Sequence, residues 1–213
     1  LLQRLREHPQ HVTYRDPLTN EQREDEFTDT ALAAVVRFHS YAPQLFGMLP
    51  MLLAEAASGQ FGNLMAQSRM LEQLIGEQIS VPLQLSVMCT EDAPGMRVDP
   101  ADAGTLLGTE FVEYTLAQCA VWPRGTMPKD FHDAVKSDLP VLLLSGELDP
   151  VTPPRYADAV QRTLPNSRHF VFRGQGHSVL GVGCGPRLVA EFIAAADAKA
   201  LDADPITFGP GDD

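Results

Sequence analysis

The order of segments in this chain predicts an α/β fold, with a mostly helical region followed by parallel strands joined by crossover helices. Three observations carry the prediction. Residues 28–76 hold helical spacing throughout, the hydrophobic period changes at residue 81, and from there extended apolar segments alternate with helical ones. The expected division is therefore residues 1–80, a hairpin plus helices, and residues 81–213, the crossover part. A chain of 213 residues is long enough for one good-sized core.

Taken in order, His11–Arg15 and Glu24–Phe27 read as short extended pieces around Asp16-Pro17-Leu18-Thr19-Asn20, whose turn residues predict a β-hairpin. Thr28 can cap the helix that follows, with Phe27 and Leu32 at the positions of a hydrophobic staple. Leu32, Val35 and Val36 form its apolar stripe, and Pro43 ends it. A second helix is expected from Pro50 to Gly59. A third carries Phe61, Leu64, Met65, Ser68, Leu71 and Ile75 at helical spacing.

Residues 81–89 read as the first strand of the second part. A helix is expected around 109–119, and then a turn at Trp122-Pro123-Arg124-Gly125. Val141–Leu144 is a continuous apolar run of the kind a strand covered on both faces requires. Thr152-Pro153-Pro154 opens a helix with a stripe of Tyr156, Val160 and Leu164. His169–Phe172 reads as the third strand, and Leu188, Val189, Phe192 and Ile193 mark the last helix. Strand and helix in alternation imply right-handed crossovers and a parallel sheet. The tail after Ala200, acidic with Gly and Pro, is expected to fray.

Charge narrows the partners. Lys+Arg 16 against Asp+Glu 28 leaves −12, a balance that repels phosphate backbones and anionic lipid, so neither nucleic acid nor a membrane is an expected partner. Apolar runs fall far short of the roughly 20 residues that span a bilayer. The six His residues show no metal-protease spacing and the three cysteines no zinc pattern, so neither a metal nor another cofactor is expected. Composition leaves two states open for Cys89 and Cys119: a disulfide if the protein is exported, or separate buried thiols as the ordinary alternative. The start at Leu1, without an initiator Met, signal or transit segment, is expected of the interior of a longer protein.

Chemistry gathers at two loops. In open α/β sheets, reacting groups collect beyond the carboxyl ends of the strands. Asp149 follows the 141–144 strand and His177 the 169–172 strand, one helix and one strand further along. Neighbouring parallel strands would set these loops side by side. A carboxylate beside an imidazole fixes its tautomer and stabilises the imidazolium, as a general base needs. Glu147 is expected to support the Asp149 loop. Alone, Asp before Pro is ordinarily a turn residue, and His in a glycine-rich loop a surface residue. The pair in acid-then-histidine order is far more specific.

Pro140–Pro154 together with Gly174-Gln175-Gly176-His177 resembles the C-terminal part of an α/β-hydrolase, and more narrowly the tripeptidyl aminopeptidase-like and proline iminopeptidase-like serine hydrolases. Met88–Asp92, Cys119–Pro123 and Gly183-Cys184 resemble the same group. The resemblance implies that residues 1–80 form a cap, that Asp149 is the acid and His177 the base of a catalytic triad, and that the protein is exported. Export brings the Cys89–Cys119 disulfide level with the separate thiols.

One departure dominates. The nucleophile of this fold precedes the acid on a G-x-S-x-G elbow, and no such pentapeptide occurs here. Ser58 lacks the first glycine, and Ser178, in Gly176-His177-Ser178-Val179-Leu180, lacks the closing one. The expected protein is thus the C-terminal fragment of a serine hydrolase, of aminopeptidase type, inactive by itself. Its partners are a peptide or small acyl substrate, the absent N-terminal half, and a second copy meeting an exposed sheet edge. Glu55, Glu91 and Asp92 are candidates to pair with a substrate α-ammonium. The alternatives are an esterase or thioesterase of the same fold and a non-catalytic binding protein.

Overall fold

The computed structural model describes residues 1–201; the tail expected to fray lies, from residue 202 on, outside the described residues. The elements run α1 (Leu2–Glu7), β1 (Gln10–Arg15), β2 (Gln22–Phe27), α2 (Asp29–His39), α3 (Pro43–Phe46), α4 (Leu49–Ala57), α5 (Gly62–Gln78), α6 (Val81–Val87), α7 (Glu110–Val121), β3 (Val141–Gly146), α8 (Pro154–Gln161), β4 (Ser167–Phe172) and α9 (Gly185–Ala195). A π-helical turn, Met88–Asp92, and a 3-10 turn, Pro100–Gly104, lie between α6 and α7. Residues Leu1–Val36 and Pro50–Phe131 form one compact unit, Arg37–Leu49 and the chain from His132 another.

In the first unit β1 and β2 pair antiparallel, Gln10 opposite Phe27 and Arg15 opposite Gln22. Asp16 builds the turn, its Oδ1 accepting the N–H groups of Leu18 and Thr19 at 3.0 Å. Thr28 caps α2 by accepting the Ala31 N–H at 3.2 Å. Val12 and Tyr14 point inward from β1 onto α5, and buried Phe27 meets Phe61 with ring centroids 5.7 Å apart. A satellite cluster of Leu85, Cys89, Ala93 and Cys119 packs with Leu116 and Trp122.

Residues 81–89 are not a strand. They form α6 and enter the π-helical turn, so among the described residues the parallel sheet has two strands rather than three. Alternating Val81, Leu83, Leu85 and Val87 imitate a strand period, but only Leu85 is buried. Pro82 sits in the first helical turn, where its missing N–H loses nothing, and Ser86 donates back to the Pro82 carbonyl at 2.8 Å.

In the second unit β3 and β4 run parallel, Val141 opposite Ser167 and Gly146 opposite Phe172. Alternation along the strands turns Leu142, Leu144, Phe170 and Phe172 to one face, where Val179 and Leu188 complete a core. The opposite face carries Ser145 and His169, and α8 packs there. The stripe expected for α8 is mostly uncovered. Leu164 is buried, but Tyr156 and Val160 are about half exposed.

Candidate catalytic site

Both strands end level, Gly146 opposite Phe172, so the loops that follow leave the sheet together. The Glu147 N–H donates to the Phe172 carbonyl at 3.0 Å, and the Leu148 N–H to the Gln175 carbonyl at 2.8 Å. Glu147 accepts the Gly174 N–H on its side chain at 2.8 Å and so braces the histidine loop. Gly146 and Gly176 permit the fit, since a β-carbon on Gly146 would overlap the Gly176 carbonyl.

Asp149 is the hub of this corner. Its Oδ1 accepts the N–H groups of Val151 at 2.8 Å and Thr152 at 2.9 Å, while its Oδ2 accepts the Thr152 hydroxyl at 2.8 Å. His177 Nδ1 stands 2.9 Å from the same Oδ2. Burial, with Asp149 6% exposed, pushes its carboxyl upward. The Thr152 N–H, His177, the Val151 N–H and the Thr152 hydroxyl outweigh that and lower it to about 2. A carboxylate only accepts, so Nδ1 is the donor and Nε2 is left as the basic nitrogen.

His177 is held from a second side. Its N–H donates to the Tyr41 carbonyl at 2.7 Å, and the Tyr41 ring meets the imidazole edge-on, with centroids 5.3 Å apart. The side chain is 35% exposed and borders a cavity of about 580 Å³. Leu142, Leu144, Leu180, Val189, Phe192 and Ile193 supply its apolar wall, and Asp149, Thr152 and Ser178 join His177 at its polar end. Such a site can take a proton from a nucleophile beside an apolar group and return it to a leaving atom.

Asp149 and His177 are therefore brought together. Glu55, Glu91 and Asp92 lie in the first unit, and all residues lining the cavity belong to the second. Glu55 is half-buried and accepts from the Asn63 amide at 2.8 Å; Glu91 and Asp92 belong to the π-helical turn. Cys89 and Cys119 form a disulfide, and Cys184 is a free thiol. Among the described residues no group of three or more His, Cys, Asp or Glu could hold a metal, and no helix is long and apolar enough to cross a membrane.

Residues 105–205, a stretch that holds both Asp149 and His177, match the family model described as TAP-like protein. The chain is related to the TAP-like α/β-hydrolases. Its coarse function, a hydrolase of the α/β fold, follows from that relationship. No curated protein and no solved structure gave a match.

Sequence reasoning missed Thr152 and Tyr41. Thr152 could have been found, since Asp-x-x-Thr is a pattern for side-chain capping of a turn. Tyr41 could not, because it stands more than 130 residues before His177 with no local signal. A second Ser-His-Asp chain was equally unforeseen. His169 Nε2 lies 2.9 Å from Ser145 Oγ, and its Nδ1 lies 3.0 Å from Asp158. Ser145 is 6% exposed and absent from the cavity wall, so this set ties α8 to the sheet and offers no nucleophile to a substrate.

Proposed function

We propose that these residues are the C-terminal part of a serine hydrolase of aminopeptidase type, in which Asp149 and His177 act as acid and base of a Ser-His-Asp triad. The supporting observation is the 2.9 Å contact between His177 Nδ1 and Asp149 Oδ2, at level strand ends and beside an apolar cavity. With no G-x-S-x-G among the 213 residues, the serine comes from polypeptide outside them. His177 Nε2 takes the serine proton as Oγ attacks the substrate carbonyl and gives it to the departing amine. Water then releases the acyl group by the same route. Asp149 keeps Nδ1–H in place and stabilises the imidazolium.

Residues 1–80 act as the cap in this reading, and Glu55, Glu91 and Asp92 are the carboxylates offered to a substrate α-ammonium. Among the described residues β3 has a strand partner on one edge alone. Its other edge receives the serine-bearing part or, in that part's absence, a second copy. Export accords with the disulfide.

One observation favours an esterase or thioesterase instead. Among the described residues Asp149, already saturated with hydrogen bonds, is the one carboxylate in the cavity wall, so that wall offers an amine no free carboxylate. The test is a panel of aminoacyl-amide and acyl-ester chromogenic substrates on the longer protein, beside its Asp149→Asn and His177→Ala forms. Aminoacyl-amide hydrolysis that both substitutions abolish supports the peptidase. Activity that survives both overturns the triad assignment.

A further inference from the structure

We infer that Tyr41 is a positioning residue for His177, setting the tilt of the imidazole that Asp149 anchors at one atom. The inference rests on the proposed role of His177 as base.

A histidine ring turns about a soft terminal torsion, which staggered wells do not confine. One hydrogen bond at Nδ1 therefore fixes the end of the ring without fixing its plane. The Tyr41 ring supplies the missing constraint, at 5.3 Å between centroids and 61° between planes. Its backbone fixes the base of the same residue, because the Tyr41 carbonyl accepts the His177 N–H at 2.7 Å. Gly176 packs so closely on that carbonyl that no side chain fits between. The loop residue before the histidine, the histidine backbone and its ring are thus all referred to one tyrosine.

Tyr41 is itself well held. Its N–H donates to the Phe38 carbonyl at 3.2 Å, and its ring meets Phe38 at 5.3 Å. Its hydroxyl accepts from Arg37 Nε at 3.3 Å. The Ser40 hydroxyl closes the helix end by donating to the Arg37 carbonyl at 2.6 Å. Residue 178, directly after the histidine, is a serine at φ +70°, so the chain cannot relax freely on the far side of the ring. Geometry of this kind is what holds a reacting group within the narrow tolerance that proton transfer needs.

The test is proton and nitrogen-15 NMR of His177 in the 213-residue chain, comparing Tyr41→Phe, Tyr41→Ala and Tyr41→Leu, with Asp149→Asn as control. The unsubstituted chain is expected to show a slowly exchanging low-field Nδ1–H resonance and a dominant Nδ1–H tautomer. Tyr41→Phe keeps both. Tyr41→Ala and Tyr41→Leu lose the resonance to exchange and move the tautomer ratio toward that of free imidazole, while far-ultraviolet circular dichroism is unchanged.

A folded Tyr41→Ala or Tyr41→Leu protein that retains the resonance overturns the inference. Unfolding of both overturns it too, since Tyr41 would then hold up the fold rather than aim the ring. The control separates the two failures. If Asp149→Asn leaves the resonance intact, the acid–base pairing itself is wrong; if it removes the resonance while Tyr41→Ala does not, Tyr41 alone has been misassigned.

Discussion

Gly146 and Gly176 meet backbone against backbone at the carboxyl end of the sheet, with no space for a β-carbon on Gly146. The contact brings the Asp149 and His177 loops close enough to share a hydrogen bond. Gly146→Ala is expected to lower stability by about 1–3 kcal/mol, the usual range for overpacking. It should also weaken the low-field His177 proton signal. Denaturant unfolding and NMR on the same sample check both parts.

Acid should expose the Asp149 network. Its carboxyl is held at about 2, below the ordinary 3.8, so its contribution to stability is complete above about pH 4 and is lost as pH falls from there toward 2. The shift corresponds to about 2 kcal/mol at 1.36 kcal/mol per pKa unit. Acid unfolding followed by circular dichroism should show this loss in the unsubstituted chain. Asp149→Asn should flatten the curve over that window.

The Cys89–Cys119 disulfide closes a loop across a sequence separation of 30. Removing it by a double Ser substitution should lower stability by about 3–4 kcal/mol from loop entropy. Loosening should centre on α6, the π-helical turn and α7, which hydrogen exchange would resolve. Arg124 shares that fate, because its guanidinium donates to the Cys119 carbonyl at 2.8 Å.

His169 gives a test of misplaced chemistry. His169→Ala leaves the buried Ser145 hydroxyl without its partner and should lower stability by about 2 kcal/mol. Ser145→Ala should change stability alone. Labelling of Ser145 by a fluorophosphonate, read by peptide mass spectrometry, would contradict its assignment as a structural residue.

The purified chain should show no serine-hydrolase turnover. Loss of a nucleophile removes about 10⁶ in turnover, and loss of oxyanion donors about another 10²–10³. Inhibitor-sensitive hydrolysis by the 213-residue chain, abolished by His177→Ala, would refute this.

How much could be read beforehand differs from element to element. The hairpin was readable because Asp16 and Asn20 impose their turn locally, and α2 because Thr28 caps it from the adjacent residue. β3 was readable because Val141–Leu144 is a continuous apolar run, although those four residues are only half-buried, and β4 because the extended His169–Phe172 runs into a glycine-rich loop. Asp149 and His177 followed from their place after those strands. Residues 81–89 misled, because alternation is ambiguous in a short segment, and burial of Leu85 and Cys89 on one side chose the helix. Tyr156 and Val160 misled differently: spacing says which residues share a face, but not whether anything covers it.

By itself the chain of residues determined where turns, caps and apolar runs fall, and hence which loops carry the carboxylate and the imidazole. These are short-range matters, settled by φ restriction, side-chain reach and hydrophobic period. Only the tertiary structure decided that Tyr41 backs His177 and that a buried serine and histidine lock α8 to the sheet. Those contacts join residues distant in sequence, whose meeting depends on how packed elements bring their backbones together.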